Sequence, residues 1–445
     1  MMSLFTIREY GVISEGALGK PYSDDGIELD KTPFQSITNF IEENSENKDF
    51  DNAFSIFKKR GRRHIRVRNY VGVIETKQGV AIEILPKIFK NSETSSIEDA
   101  KLLFLRMLKT LSNTPFINLR VAHLKEVDKF PILEIFVNAY LTELKILFSR
   151  QLRGDYNQFE ENSTFIKGKL LISENIKKNS YNKTKFFCSY DIFSENIPPN
   201  RLIKSTLRHL FNVSKNASNK RQILKFLNLF EGVHFSRSVD EDLNFCKSRK
   251  RMLKNYVNLI SWSETYLKNK SFTNFHGGSI NQAILFPMEK LFENYIAYLI
   301  SKYCDSHLVN VQDKKYALIN QKLNSSDKKY EVEQFPLRPD IVINTDLIII
   351  DTKWKVLDQD AKKFGMLESD IYQMHAYGRR YQSGNAKGIA PRLGLIYPKV
   401  PTFLNDLMQM RYGDDLYLDV LPFDLASEFP DIEIQKVINK LDMHK

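Results

Sequence analysis

Residues 337–355 read LRPDIVINTDLIIIDTKWK. Two short apolar runs stand back to back, so the chain has to turn between them and pair them as buried strands. The first run opens on Asp340 and the second closes on Asp351-Thr352-Lys353. With Thr345-Asp346 as the turn, Asp340 falls opposite Asp351. Opposed residues share a sheet face with Cβ atoms ~5 Å apart. Lys353, two residues on, shares that face. Two carboxylates and an ammonium are therefore expected to converge where the strands leave the core.

Carboxylates that close repel one another unless a cation lies between them. Hard oxygen ligands with room for water suit Mg²⁺, with Mn²⁺ as a substitute. Such an ion polarises a phosphoryl oxygen and acidifies a bound water. Lys353 would orient or deprotonate that water, or stabilise the phosphorane. A D-x-K pattern also arises by chance, and buried strands often end in charge. Here Pro339-Asp340 precedes a β run, and a second apolar run leads straight into Asp351. On the preceding helix Glu289 and Glu293 share a face. Glu293 interrupts an apolar stripe, as a third metal ligand or as a surface i,i+4 partner. On the following helix, 367–382, Asp370, Gln373, Tyr377 and Tyr381 fall on one stripe. Gln373 would offer an amide to the site and Tyr377 a hydroxyl, while Arg379 and Arg380 add phosphate-binding capacity.

The remainder of the chain bounds these readings. Its 445 residues suffice for two or three domains, and its net charge of +11 favours polyanions or acidic protein surfaces. Cys188, Cys246 and Cys304 lie too far apart for a disulfide framework or zinc spacing. The amino terminus lacks the pattern of a signal peptide, and no uncharged stretch is long enough to span a bilayer. A cytoplasmic protein that does not enter membranes is expected. Three parts are read: a β-rich 1–125, a mainly helical 126–275, and an α/β 276–445 with a mixed sheet. In the first, 64–88 reads as a hairpin turning at Lys77-Gln78-Gly79. Ahead of it, the end of KKRGRRHIRVR (58–68), as a strand, sets Ile65 and Val67 on one side and Arg66 and Arg68 on the other, either as a solvated edge or as a basic surface for DNA or an acidic partner. Residues 95–113 read as a helix with Ser95 and Glu98 at capping-box spacing. In the second, 165–193 reads as strand, polar loop, strand. Residues 198–232 read as two helices broken around Asn216–Asn219, and 240–269 as one long helix.

The constellation resembles the PD-(D/E)xK nuclease superfamily. Pro339-Asp340 and Asp351-Thr352-Lys353 match its defining motif, Glu293 its helical acid, and Gln373-x-x-x-Tyr377 the Q-x-x-x-Y motif of its RecB-like branch. The nearer resemblance is to McrC, the nuclease subunit of McrBC modification-dependent restriction systems. It rests on YVGVIETKQGVAIEILPKI (70–88), FIKGKLLIS (165–173), PPNRLIK (198–204), MEKLFENY (288–295), LRPDIVI (337–343), IIIDTKWK (348–355) and DIYQMHAY (370–377). Segments 14–60, 176–186 and 400–445 match no phrase of that family. The resemblance implies an Mg²⁺-dependent endonuclease that cuts double-stranded DNA in a modified-cytosine-directed, antiphage restriction complex. Asp340, Asp351 and Glu293 would be metal ligands, and Lys353, Gln373 and Tyr377 would complete the catalytic set. The implied partner is an McrB-like AAA+ ring that binds GTP and is stimulated by the amino-terminal part of this chain. In keeping with that, no G-x-x-x-x-G-K-[ST] occurs; SEGALGKP (14–21) has Ser14 and Pro21 at required positions. The alternatives are a nuclease of the same superfamily in DNA repair with a helicase partner, and an inactive DNA-binding adaptor.

Overall fold

The alternating segment from Tyr70 to Leu85 folds as the expected hairpin, and it lies inside the molecule. The structure is a computed structural model. It describes residues 4–16, 26–46, 53–59, 61–87, 89–90, 93–94, 96–112, 114–119, 130–268, 280–325, 328–345, 347–385, 388–413 and 415–442. Seven strands open the chain: β1 (Leu4–Arg8), β2 (Val12–Glu15), β3 (Gly26–Leu29), β4 (Phe54–Lys59), β5 (Arg62–Val67), β6 (Tyr70–Thr76) and β7 (Ala81–Leu85). β6 and β7 turn at Gly79, whose φ of 79° is readily open only to glycine. Every residue of both strands is buried. β1 pairs in parallel with β7, and the far side of β6 pairs with the strand Ile280–Pro287. The first and last parts of the chain are thus one unit, 3–129 with 277–445, while 130–276 form another.

A second sheet has the order β3-β2-β5-β4. In β5, Ile65 and Val67 are fully buried while Arg66 is exposed, as the alternation predicts. The β4–β5 turn passes through Gly61 at φ 76° and carries Lys58, Lys59, Arg62 and Arg63 into solvent. After the small pair β8 (Phe89–Lys90) and β9 (Glu93–Thr94) comes a helix that packs on β7. The helices are α1 (Lys31–Glu43) and this one, α2 (Ile97–Leu108). The capping box of α2 uses Ser96 and Asp99, one residue along from the expected pair. Ser96 Oγ accepts from Asp99 N at 3.1 Å, and Asp99 Oδ2 accepts from Ser96 N at 3.3 Å. Ser95 lies outside the described residues.

The unit 130–276 holds α3 (Ile132–Ser149), β10 (Asp155–Ser163), β11 (Lys169–Leu170), α4 (Ile172–Asn179) and β12 (Phe186–Ser194). Then follow α5 (Pro198–Val213), α6 (Ala217–Leu229), α7 (Val239–Ser248) and α8 (Val257–Leu267). α5 touches α6, α7 and α8 and is the hub of the bundle. Its break from α6 falls where the asparagines suggested. Asn216 caps α6, and the buried Glu134 of α3 accepts from Ser214 Oγ (2.8 Å), Asn216 N (3.0 Å) and Asn219 Nδ2 (2.8 Å). Two expectations are corrected here. The polar stretch after residue 171 is helical: Asn175 Oδ1 accepts from Phe187 N at 2.8 Å, so the asparagines of α4 complete the adjoining strand. The long helix over 240–269 is two helices separated by turns at 249–256. Arg249, Lys250, Arg251 and Lys254 would repel on a continuing helix, and the turns let Leu253 and Tyr256 bury instead.

The rest of the first unit begins with β13 (Ile280–Pro287), α9 (Met288–Tyr303) and β14 (Val309–Val311). The polar sequence that follows forms a hairpin, β15 (Ala317–Ser325) with β16 (Lys328–Pro336). Next come β17 (Ile341–Ile343), β18 (Ile348–Thr352), α10 (Glu368–Gly384), β19 (Arg392–Pro398), β20 (Leu407–Arg411), β21 (Tyr417–Phe423) and α11 (Pro430–Asp442). A six-stranded mixed sheet runs β14-β17-β18-β19-β21-β20, with β18, β19 and β21 parallel. Met374, Tyr377 and Tyr381 of α10 pack with Val342, Ile349, Leu393 and Leu395 of the sheet. The architecture is α/β with mixed sheets.

Candidate active site

β17 and β18 are buried throughout, which fixes their register. They pair antiparallel with Ile341 opposite Ile350 and Ile343 opposite Ile348. One step outward, that register sets Asp340 against Asp351, as the sequence suggested. Asp346, in the connecting turn, lies outside the described residues.

Each carboxylate is held by its own contacts. Thr352 donates to Asp340 Oδ2 from both its backbone N–H and its hydroxyl, each at 2.8 Å. Gln312 Nε2 donates to Asp340 Oδ1 at 3.3 Å and also to Glu293 Oε1. Glu293 Oε2 accepts from Lys290 Nζ at 2.8 Å. Asp351 is 1% exposed, and Lys353 Nζ lies 2.5 Å from its Oδ2. Lys353 Nζ also donates to Gln373 Oε1 at 3.0 Å, and Gln373 Nε2 donates to Tyr377 Oη at 2.7 Å. The residues proposed from three separate elements therefore form one chain of contacts. Glu289 stands apart: it is exposed and accepts from Asn69 Nδ2 at 3.1 Å.

The electrostatics follow from burial. Asp340 is pushed up to about 7 by desolvation, then by the charges of Asp351 and Glu293, against the two hydrogen bonds from Thr352. Asp351 is raised by desolvation, against the pull of Lys353. Burial alone would lower Lys353, but Asp351 beside it lifts it above its ordinary value, with Asp370 and Asp340 adding to that. The site is an assembly of acids that lacks enough positive charge of its own.

A family model described as "McrBC 5-methylcytosine restriction system component" matches residues 65–398. This chain belongs to that family. Two solved structures from Thermococcus gammatolerans are similar in fold. A chain of the refined half-complex from the tetradecameric assembly of McrB AAA+ hexamers with bound McrC has 17% identity and a TM-score of 0.70. That match covers 99% of this chain and 100% of the other. A chain of the McrBC complex solved by cryo-electron microscopy has 19% identity and a TM-score of 0.51, over 68% of this chain and 88% of the other. A search of curated proteins finds no match.

Within this McrBC-family chain, other parts of the proposed set are used differently. Arg379 Nη1 donates to Asp415 Oδ1 at 2.8 Å in an exposed pair, and Arg380 Nε donates to Ala317 O at 2.8 Å. Asp370 accepts from Lys355 Nζ at 2.8 Å, and Tyr381 donates to Asp313 Oδ2 at 2.6 Å. Sequence reasoning missed Gln312, which carries no motif, and Thr352, which occupied a variable position inside one. The spacing of Lys290 to Glu293 was available as a signal.

Among the described residues no three His, Cys, Asp or Glu side chains surround one point as a ready cage for an ion. The donor set nonetheless suits a hard divalent cation. Asp340, half-buried, and Asp351, buried, face each other across the strand pair and repel. Mg²⁺ commonly takes one or two carboxylates and fills its other positions with water and phosphate oxygens.

Trp354, next to Lys353, is anchored from the other end of the sequence. Its Nε1 donates to Glu9 Oε2 at 2.9 Å, and its ring lies 5.4 Å from that of Phe292. Glu9 Oε1 also accepts from Lys87 N at 2.8 Å. Desolvation lifts Glu9 from an ordinary 4.5 to about 7. The folded protein therefore holds a proton between those values that the unfolded chain has released. Stability from this group is full below pH 4.5 and falls as pH rises through about 7, by a total on the order of 3 kcal/mol. Denaturant titrations from pH 4.5 to 8 are expected to show this loss in the wild type and a flatter profile in Glu9→Gln. Parallel profiles would contradict it.

Proposed function

We propose that this chain is the McrC-type subunit of a GTP-dependent, modified-cytosine-directed restriction complex, and that it cuts double-stranded DNA. The observation that carries the reading is the pairing of Asp340 with Asp351 across β17 and β18, with Lys353 tied to Asp351 and Gln373. Membership of the McrBC family supports it, as does the likeness to a structure in which McrC is bound to McrB AAA+ hexamers. Asp340 and Asp351 would hold Mg²⁺, with Glu293 as the third acid. When bound, the ion supplies Lewis-acid polarisation of the scissile phosphate and a more acidic water.

The chain's own residues do the rest. Lys353 Nζ is held to stabilise negative charge developing on the phosphoryl oxygens as water adds and the P–O bond to the leaving strand breaks. Gln373 fixes that ammonium, and Tyr377 fixes the Gln373 amide. Thr352 orients Asp340. Glu293 is held beside the pair of Asp340 and Asp351 by Gln312 and Lys290.

GTP belongs to the partner, an AAA+ ring of the McrB type. Among the described residues no helix is long and apolar enough to cross a membrane, and a cytoplasmic location goes with this function. The test is cleavage of a cytosine-methylated plasmid by the full chain with its partner, GTP and Mg²⁺. Cutting should stop with EDTA and return with Mg²⁺ or Mn²⁺. Cutting that persists in EDTA would end the proposal.

The exposures separate the two glutamates of α9. Glu293 is buried beside Asp340, whereas Glu289 reaches solvent. Glu293→Gln is expected to lower cleavage roughly 10-fold or more at limiting Mg²⁺, and Glu289→Gln to leave it unchanged. Equal rates for the two variants would remove Glu293 from the metal set.

A further inference from the structure

The chain's positive charge is not spread along it. Residues 130–276 hold 24 Lys and Arg against 13 Asp and Glu, a net +11. The remaining residues balance at 41 of each, so the unit that carries the candidate site has no net charge. The site itself is a cluster of carboxylates. The excess positive charge that would attract a polyanion therefore lies in the unit 130–276.

Within that unit one dense group of cations stands on a single turn region. The turns between α7 and α8 carry Arg249, Lys250, Arg251 and Lys254, all exposed. The segment after α3 lies against them: Tyr256 Oη accepts from Arg153 N at 2.8 Å, and Arg153 Nη1 donates to Met252 O. Arg153 thereby joins the four cations of the turns. Lys250, Arg251 and Lys254 have no carboxylate within ion-pairing reach among the described residues. Arg249 lies over the Phe245 ring, 3.9 Å from its centroid, which keeps the guanidinium extended. Of the acids on this side, Glu264 pairs with Lys247 at 3.1 Å, Asp155 accepts from Tyr156 N at 2.9 Å, and Glu195 lies near Tyr256.

We infer that this basic turn binds the phosphate backbone of double-stranded DNA, independently of sequence. The inference rests on the proposed function for its choice of polyanion. Unpaired cations presented from a rigid turn displace counterions from the duplex, and each phosphate contact adds about 0.9 to the slope of log affinity against log salt. The basic tip of β4 and β5 is a different kind of surface. It adjoins the edge strand β4, whose backbone can pair with a protein strand.

The test is binding of the full-length chain, without its partner, to a fluorescent unmodified duplex at a series of salt concentrations. Lys250→Ser/Arg251→Ser/Lys254→Ser is compared with wild type and with Lys31→Ser/Lys77→Ser/Lys109→Ser from the neutral unit. Circular dichroism confirms that each is folded. The turn variant is expected to lose about 1 from the salt slope for each contact removed and roughly 100-fold in affinity at physiological salt. The control should match wild type. Equal losses in both variants, or no binding by the wild type, would overturn the inference. So would unchanged DNA binding with reduced stimulation of the partner's GTPase, which would make the turn a protein contact. Binding is scored apart from cleavage, so a wild-type chain that binds but does not cut separates failure of the nuclease reading from failure of this one.

Discussion

Asp351→Asn and Asp351→Ala are each expected to lower DNA cleavage at least roughly 10²-fold, the scale of losing one preorganised contact to the transition state. Asp351 faces Asp340, so removing its charge takes away one of the two paired carboxylates that would hold an ion. The asparagine variant is the cleaner one. It keeps the side-chain volume in a position only 1% exposed, and Lys353 retains Gln373 Oε1 at 3.0 Å as an acceptor. Folding and GTPase stimulation should therefore survive. Lys353→Ala should reach a similar loss by a different route, keeping both carboxylates but removing the ammonium that meets the developing charge. Mn²⁺ binding distinguishes them: it should weaken in the Asp351 variants and persist in Lys353→Ala. Wild-type cleavage by purified Asp351→Asn would sink the assignment.

Arg62→Ser/Arg63→Ser/Arg66→Ser/Arg68→Ser is expected to cut stimulation of the partner's GTPase several-fold to 100-fold, and more as salt rises. The charge along 58–88 divides sharply in space. β6 and β7 are buried, so the docking surface we propose is restricted to the exposed tip at 58–68. Arg66 lies over the Phe57 ring at 5.1 Å, and Ile65 and Val67 pin the strand from within. Charge at such a surface chiefly governs encounter rate and specificity, and salt shortens the reach of what remains. Hydrolysis of GTP measured without DNA decides the matter. Normal stimulation there, with loss only of DNA affinity, would make the tip a nucleic-acid contact.

Legibility tracked how far each feature depended on near neighbours. The register of β17 and β18 could be read because two apolar runs separated by a short turn leave little choice. The break between α5 and α6 could be read because asparagine caps helices by a local mechanism. Gln312 could not be read. It reaches Asp340 and Glu293 only because β14 pairs with β17, and nothing in its own surroundings marks it. The turns at 249–256 were missed because helical spacing of apolar residues outweighed the repulsion among the cations between them. The contact of Glu9 with Trp354 was beyond any window, since it joins residues 345 apart.

That last contact bears on how the protein is born. Ribosomes release a chain from its amino terminus, and segments fold as they emerge. The β1-β7-β6 sheet can form early, but its fourth strand, β13, arrives only after the whole unit 130–276 has been made. Trp354 reaches Glu9 later still, and Gln373 and Tyr377 follow it. Closing so long a loop carries an entropic cost that slows the final step. A polysome making this protein thus displays half-built chains without an assembled candidate site. Synthesis order leaves Lys353 without Gln373 and Tyr377 until the chain is nearly complete.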